Sequence, residues 1–415
     1  MNAELNTEKR ILGWGKYEFT ILWWFFVLWG AVFLDRLVMA FLAPQIMAPV
    51  AEGGLAVTPE QFGWIMTFTT GCYAIAAIAL TPVLEATGKR KRWLILLSLG
   101  AGVFAILGAF TTDVTQLLIT RAVVGFCEGP IAPLIFAMLI KESTPSRIAI
   151  NAGIVNMGVS IVAILIGANI TVQISIATGS WRNGFILAGV ISIIVCLILI
   201  KVVREVPFVP EGNKESMWQT MGKLLKNRNI VICFVLGILT MVIYWTQMNY
   251  ATQFFTAAGQ DMGSAGAIVS FTGLLGIMWV LVVPKISDFI GRRPAVMMWF
   301  ALCALAPFVM FGAPTSFAAM ILYILLAAIP GSIFPFFQAI IPGESLPNHM
   351  LGAASGLIIG FAEIIGGSAS QAFLGYLAAS TDVPTVILVA AISAVVAVVV
   401  AIFLKETKGK AMEAM

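Results

Sequence analysis

A single histidine, His349, stands among 415 residues, in a polar connection beside Pro347 and Asn348. The five cysteines (Cys72, Cys127, Cys196, Cys233, Cys303) are scattered through apolar stretches with no CxxC or ligand spacing. That leaves no donor set for a metal centre and no Ser-His-Asp constellation. No cofactor and no enzymatic activity are expected, and the thiols read as small buried hydrophobes. A phosphate-binding loop of the G-x-x-x-x-G-K-[ST] type is also missing, so use of ATP is not expected. Charge is scarce: 11% of residues are Asp, Glu, Lys or Arg, against 60% hydrophobic. Soluble domains are excluded by that balance. The basic residues sit in short loops between apolar runs, which gives nucleic-acid binding no support. The first apolar segment, from about Phe19, is too long for a signal-peptide core and lacks a small-residue cleavage site, so no processing is expected.

What remains is a polytopic membrane protein whose partner is the lipid bilayer. Apolar runs of about 20 residues fall at 19–43, 60–84, 93–111, 114–140, 148–173, 183–203, 229–256, 264–287, 294–312, 315–341, 350–378 and 385–404. All are predicted to be helical, because lipid leaves the backbone no other partner short of a closed barrel. Of the 24 Lys and Arg, all but Arg36, Arg121 and Arg182 fall at the termini or in connections on one side. The opposite side carries Glu52, Asp113, Asp261 and Asp382. By the positive-inside rule both termini are cytoplasmic and the chain is integral to the cytoplasmic (inner) membrane.

The longest polar connection divides the chain into an N-terminal six-helix bundle (1–204), a cytoplasmic linker (205–228) and a C-terminal six-helix bundle (229–415). The halves repeat. Gly88-Lys-Arg90 returns as Gly291-Arg-Arg293 at an offset of 203, Glu142-Ser-Thr-Pro145 as Glu344-Ser-Leu-Pro347 at 202, and Ala152-Gly153 as Ser355-Gly356 at 203. Parallel repeats of this kind place a ligand at their interface, near the membrane midplane.

Pro284-Lys-Ile-Ser-Asp288-Phe-Ile-Gly291-Arg-Arg293 resembles the loop signature of the major facilitator superfamily, G-x-x-x-D-R-x-G-R-R. Pro284 and Phe289 replace its first glycine and first arginine. The N-terminal copy, Thr81-Pro-Val-Leu-Glu85-Ala-Thr-Gly88-Lys-Arg90, keeps an acid and has Ala86 for the arginine. Gly179-Ser-Trp181-Arg182 is also similar to that superfamily. The resemblance implies an all-α membrane fold of twelve transmembrane helices in two six-helix pseudo-repeat bundles. It implies that Asp288, Arg292 and Arg293, with Glu85 and Arg90 in the weaker copy, form a gating latch.

Within the first span, Asp35-Arg36 followed by Ala43-Pro44 resembles the anion–cation symporter branch, which includes sialin and sugar-acid carriers. Its members also carry an R-x6-E pair on the fourth helix, matched here by Arg121 and Glu128. Seven residues apart, these two project from one helix face. Each charge at a bilayer centre costs about 2.5–3.5 kcal/mol, so two on one stripe point to a polar interior. Arg36 is the candidate clamp for a carboxylate, and Arg121 a partner for substrate or an acid. Burial favours a neutral carboxyl and a neighbouring arginine an ionised one, so Asp35 and Glu128 are candidates to couple protonation to substrate arrival. The alternative is a quartet that holds helices together.

The second half differs. At offset 202, Tyr323 and Pro330 stand where the first half has Arg121 and Glu128. Proton handling is therefore expected in the N-terminal bundle, with polar contacts from the other: Tyr244, Gln247 and Asn249 on the seventh span and Gln338 on the tenth. Asn156 and Asn169 are further polar candidates on the fifth. Glu363, among Gly360, Gly366 and Gly367, is an intramembrane acid and by default a functional candidate, either a second proton site or a structural hydrogen bond. The combined expectation is a monomeric secondary transporter moving a small organic anion with protons by alternating access. The rival is an anion exchanger or a proton-driven exporter of a less charged compound.

Overall fold

The computed structural model describes residues 10–11, 14–144, 147–205 and 217–408. Twelve helices among them are long and apolar enough to cross a membrane: span 1 Lys16–Phe41, span 2 Pro59–Ala86, span 3 Arg90–Gly108, span 4 Val114–Glu142, span 5 Ile150–Thr178, span 6 Arg182–Val202, span 7 Arg228–Ala257, span 8 Met262–Ile290, span 9 Arg292–Gly312, span 10 Phe317–Gly343, span 11 Met350–Ser380 and span 12 Val383–Ala401. Their ends lie within three residues of the sequence expectation except in span 5, which runs five residues past 173. The polar residues there are accommodated inside the helix: Ser175 donates to the Val172 carbonyl and Thr178 to that of Ile174, the back-bonding that hydroxyls use in helices.

Helix-start chemistry explains three of the four acids on the side away from the termini, Asp113, Asp261 and Asp382. Spans 2, 4, 8, 10 and 12 begin there with Thr58, Asp113, Asp261, Ser316 and Asp382, each accepting a backbone N–H of its first turn. The cap satisfies an orphan donor, and the aspartates also complement the positive helix end. Hydrogen bonds from the Ser264 hydroxyl and N–H hold the Asp261 carboxyl below its ordinary range. Arg182 donates to the carbonyls of Ala109 and Thr111, just past the end of span 3. Within the connection between the halves, a helix at Met217–Leu224 buries Met221 and Leu224 against the C-terminal half. Residues 206–216, most of the expected linker, lie outside the described residues.

Three apolar cores show how the halves meet. One crosses between them, joining Phe41 and Phe62 of the first half to Tyr250, Phe254 and Leu374 of the second. The other two are each confined to one half, around Phe25, Ile135 and Leu199 in the first and Phe300, Phe337 and Ile358 in the second. Along the spans, the shared core occupies the side away from the termini, and the separate cores lie towards the termini. The spans 2–11 seam is close there. Thr67 and Ser368 donate to each other's carbonyls at 3.0 and 2.8 Å, and a Cβ at Gly63 would stand 2.7 Å from the Gly375 Cα. Towards the termini, Gly153, Gly352 and Gly356 have open space where a side chain would begin. The halves are joined by a shared core on the far side and keep separate cores towards the termini.

This closure makes a prediction. In a cysteine-free background, Thr67→Cys will be protected from a membrane-impermeant maleimide applied to the far side. Adding Gly63→Leu will expose it, because the seam has no volume for the side chain. Equal labelling with and without the leucine would show that the seam is not the far-side barrier.

Candidate functional site

Span 1 presents Asp35 and Arg36 to span 4, and span 4 reaches them because Gly125 lets it lie against span 2. A Cβ at Gly125 would stand 2.9 Å from the Thr69 carbonyl carbon. Four charged side chains thereby meet, each no more than 3% exposed. Their pairing is crossed relative to the sequence order. Arg121 donates to the Asp35 carbonyl at 2.9 Å and to Asp35 Oδ1 at 3.1 Å. Arg36 instead faces Glu128, with Nε 3.7 Å from Oε2. Arg121 and Glu128 do share a face of span 4, but each pairs across to span 1.

The two pairs differ in kind. Asp35–Arg121 is a hydrogen-bonded ion pair, with the Arg121 guanidinium also 5.0 Å from the Phe185 ring centroid. Arg36–Glu128 is contact without a hydrogen bond: Nε, Nη1 and Nη2 of Arg36 and both carboxylate oxygens of Glu128 lack partners. Aromatic faces hold the guanidinium instead. Its Cζ lies 3.5 Å from the Tyr73 centroid, 5.5 Å from that of Phe33 and 5.2 Å from that of Trp245. Cation–π contact is worth about 2 kcal/mol when desolvated, yet it leaves the in-plane donors free.

The second half contributes Trp245 and Glu363 to the opposite wall. Trp245 stacks on Phe33 across the two halves, 6.5 Å between centroids and 6° from parallel. Its Nε1 donates to Glu363 Oε2 at 3.2 Å. Glu363 lies in a π-helical stretch of span 11, Ala362–Ala369, and a second such stretch, Val159–Ala168, occupies the repeat-related place in span 5. Such wide turns occur often at functional sites.

The remaining candidates divide. Asn249 donates to Gln371 Oε1 at 2.9 Å and is committed to that bond. Gln247 lies about half a turn round span 7 from Trp245, away from the charges. Its backbone carbonyl accepts from the Tyr323 hydroxyl at 3.4 Å while its side-chain amide has no partner. Tyr244 packs edge-on to Trp245. Gln338 is half-buried and Asn156 exposed, both about two turns from the charged level towards the termini, and Asn169 is half-buried on the far side. The structure does not bring these three to Arg36. Gln371, Tyr73 and Phe33 carry weight that the sequence reading missed. So does Glu18, which accepts from the Thr144 N–H, the Thr144 hydroxyl and Asn151.

At the terminal face, Gly291 turns with φ +101°, a conformation that favours glycine. Arg292 follows it and donates to Asp288 Oδ1 at 2.5 Å, Ser287 at 2.6 Å and Glu344 at 2.8 Å. The Glu406 carboxylate, from the tail after span 12, accepts the backbone N–H groups of Arg292 and Arg293 at 2.8 and 3.0 Å. Burial pushes Glu406 up, but the N–H groups of Lys408, Arg292, Arg293 and Thr407 outweigh it and hold the carboxyl below its ordinary range. These partners all belong to the second half, so the cluster ties spans 8, 9 and 10 to the tail. In the first half Arg90 pairs with Glu85 at 2.7 Å.

The contrast between the pairs is measurable as stability. Arg121→Ala leaves Asp35 buried and unpaired, which costs about 3–5 kcal/mol, whereas Glu128→Gln removes no hydrogen bond. Thermal unfolding in detergent will fall well below wild type for Arg121→Ala and less far for Glu128→Gln, which removes the counter-charge of Arg36 but leaves its aromatic contacts. The reverse order would overturn the division into a committed and an open pair.

A family model described as Major Facilitator Superfamily matches residues 25–370. The chain is 26% identical over 247 residues to a protein of Mannheimia succiniciproducens named "Probable sugar efflux transporter", covering 59% of this chain and 58% of that one. It is 25% identical over 201 residues to the purine ribonucleoside efflux pump NepI of Salmonella paratyphi A, covering 47% and 50%. The chain thus spans about half the length of the curated relatives it matches. Among solved structures, a D-xylose–proton symporter superposes with a TM-score of 0.76 at 17% identity, covering 96% of this chain and 100% of that one. The inward-facing, unoccupied bacterial homolog of the human lysosomal transporter Spinster gives 0.70 at 15%, covering 94% and 95%. At such identities these likenesses concern the fold. The family match takes in most of the chain, and the twelve-helix architecture agrees with it: the chain belongs to the Major Facilitator Superfamily.

Proposed function

We propose that the chain is a secondary active transporter that carries a small organic anion together with protons across the cytoplasmic membrane by alternating access. The observation that supports this most strongly is Arg36, a buried guanidinium whose three nitrogens have no hydrogen-bond partner. A carboxylate matches that planar fork with two parallel, charge-assisted bonds. Glu128, at 3.7 Å, is the group a substrate anion would displace. When Glu128 holds a proton its hold on Arg36 weakens and the fork is free for substrate. When substrate leaves, Glu128 ionises and takes its place. Asp35 and Arg121 serve in this account to position Arg36, rather than to carry a proton or bind substrate, because each is already hydrogen-bonded to the other.

Both termini are assigned to the cytoplasm by the basic loops, so the side on which the two cores separate faces inwards. The division at 205–228 lets the halves rock about the site as bodies, and one chain encloses the whole pathway, consistent with a monomer. The Asp288–Arg292–Arg293 cluster and the Glu85–Arg90 pair are assigned to holding loop geometry on the gated face. The symporter branch, with sugar-acid or other carboxylate substrates, is the reading that the Asp35-Arg36 and Arg121–Glu128 motifs support. A second reading is favoured by the relatives' names, which are efflux proteins for sugars and purine ribonucleosides. In it, a less charged compound is exported against protons and Arg36 binds hydroxyl or carbonyl oxygens.

Purified protein in liposomes loaded with a pH-sensitive dye separates these readings. Sugar acids, monocarboxylates, dicarboxylates, aromatic acids and neutral nucleosides would be offered outside. The proposal expects internal acidification by one acid class. Arg36→Ala will reduce it about 10–100-fold, the worth of a hydrogen bond to a charged group, and Glu128→Gln will abolish proton movement. Uptake of a nucleoside with internal alkalinisation, and silence from every acid, would replace it with the export reading.

A further inference from the structure

Resting on the anion reading, we infer that Glu363 determines substrate charge: the site takes monoanions and rejects dianions. The inference starts from the number of free cations. Arg121 is committed to Asp35 through two hydrogen bonds. Arg36 has no hydrogen bond on any of its three nitrogens, whereas Arg121 lacks one only at Nε. Two acids face it, Glu128 from its own half and Glu363 from the other. Arg36 and Glu363 sit on the same indole: the guanidinium lies 5.2 Å from the Trp245 centroid, and Glu363 Oε2 accepts from its Nε1.

Glu363 is held in that position. A Cβ on Gly367 would stand 2.5 Å from Glu363 Oε2, 3.0 Å from Trp245 Nε1 and 3.2 Å from Thr70 Cγ2. The carboxylate is therefore packed against Gly367 where spans 2, 7 and 11 converge.

The repeat shows that this arrangement belongs to one seam only. Displaced by 203 positions, the counterparts of Glu363 and Tyr73 are Ser160 and Gly276. These meet across spans 5 and 8, where a Cβ at Gly276 would stand 2.7 Å from Ser160 Oγ. One seam is closed by small residues. The other carries an acid, and an aromatic ring that supports the arginine.

Charge then decides what fits. With Glu128 protonated, Arg36 matches one substrate carboxylate, while Glu363, as the carboxylate that accepts from Trp245, keeps a negative charge on the opposite wall. A second carboxylate finds no free cation, lies opposite Glu363 and is left buried without compensation. At these separations in a medium of low effective dielectric, the penalty exceeds about tenfold in affinity.

The test measures dissociation constants on purified full-length protein with two matched probe series: gluconate, glucarate and glucitol, and benzoate, isophthalate and benzamide. In the series that binds, the monoanion is expected to bind at least about tenfold more tightly than the dianion. Glu363→Gln should shrink that ratio by about tenfold. Gly367→Ala displaces the same carboxylate without removing it and should shrink the ratio too, which covers a failure of the glutamine variant to fold. A dianion that binds wild type as well as the monoanion, or a ratio unmoved in folded Glu363→Gln, overturns the inference and leaves the anion reading standing. Binding of neutral members alone, or of no anion in either series, overturns the anion reading and this inference together.

Discussion

A guanidinium buried in the middle of a membrane protein without one hydrogen bond is the constraint on which the rest of this structure depends. Placing such a charge at the bilayer centre costs about 2.5–3.5 kcal/mol on insertion scales. Arg36 meets that cost through three aromatic faces and a nearby carboxylate, none of which saturates its donors. Its neighbours are arranged to keep it so. Asp35, adjacent in sequence and the obvious partner, is drawn away by Arg121. Glu128 stops short of hydrogen-bonding distance. Aromatic contact holds the cation in place while leaving its edge unoccupied, which is the state a binding group needs before its ligand arrives.

The fold supplies the frame for that state. Sharing one apolar core on the far side and splitting into two towards the termini, the halves form a closed floor beneath the charged level. Small residues bring spans 2 and 11 together in a contact of backbones and short hydroxyls, beside the aromatic contacts of the shared core. Trp245 joins floor and site, stacking on one half while donating to an acid of its own. Any motion of one half against the other must change that stack, and with it the surroundings of Arg36.

Much of this was legible in the sequence because lipid narrows the options. Apolar runs had to be helices, and the basic loops and the 203-residue repeat organised them. The end of span 5 was not legible, because Ser175 and Thr178 look like loop residues until their hydroxyls are seen to bond back into the helix. Glu18 was missed for a similar reason: span 1 begins two residues before it, so a buried acid was read as lying in a polar lead-in. Asp35, Arg36, Arg121 and Glu128 announced themselves as charges in apolar runs. Which acid pairs with which arginine depends on how spans 1 and 4 cross, and no spacing within one helix encodes that. Tyr73 and Phe33 were silent because an aromatic residue in a membrane helix is ordinary until a cation lies over it.

The central claim is that Glu128 yields Arg36 to the substrate and takes a proton as it does so. Infrared difference spectroscopy on the purified protein, with and without a bound carboxylate substrate, tests this most directly. The account predicts that binding adds a protonated-carboxyl stretch, that Glu128→Gln removes this band, and that Glu363→Gln does not remove all of it. A difference spectrum in which binding adds no protonated carboxyl, or adds one that survives Glu128→Gln unchanged, would contradict the account.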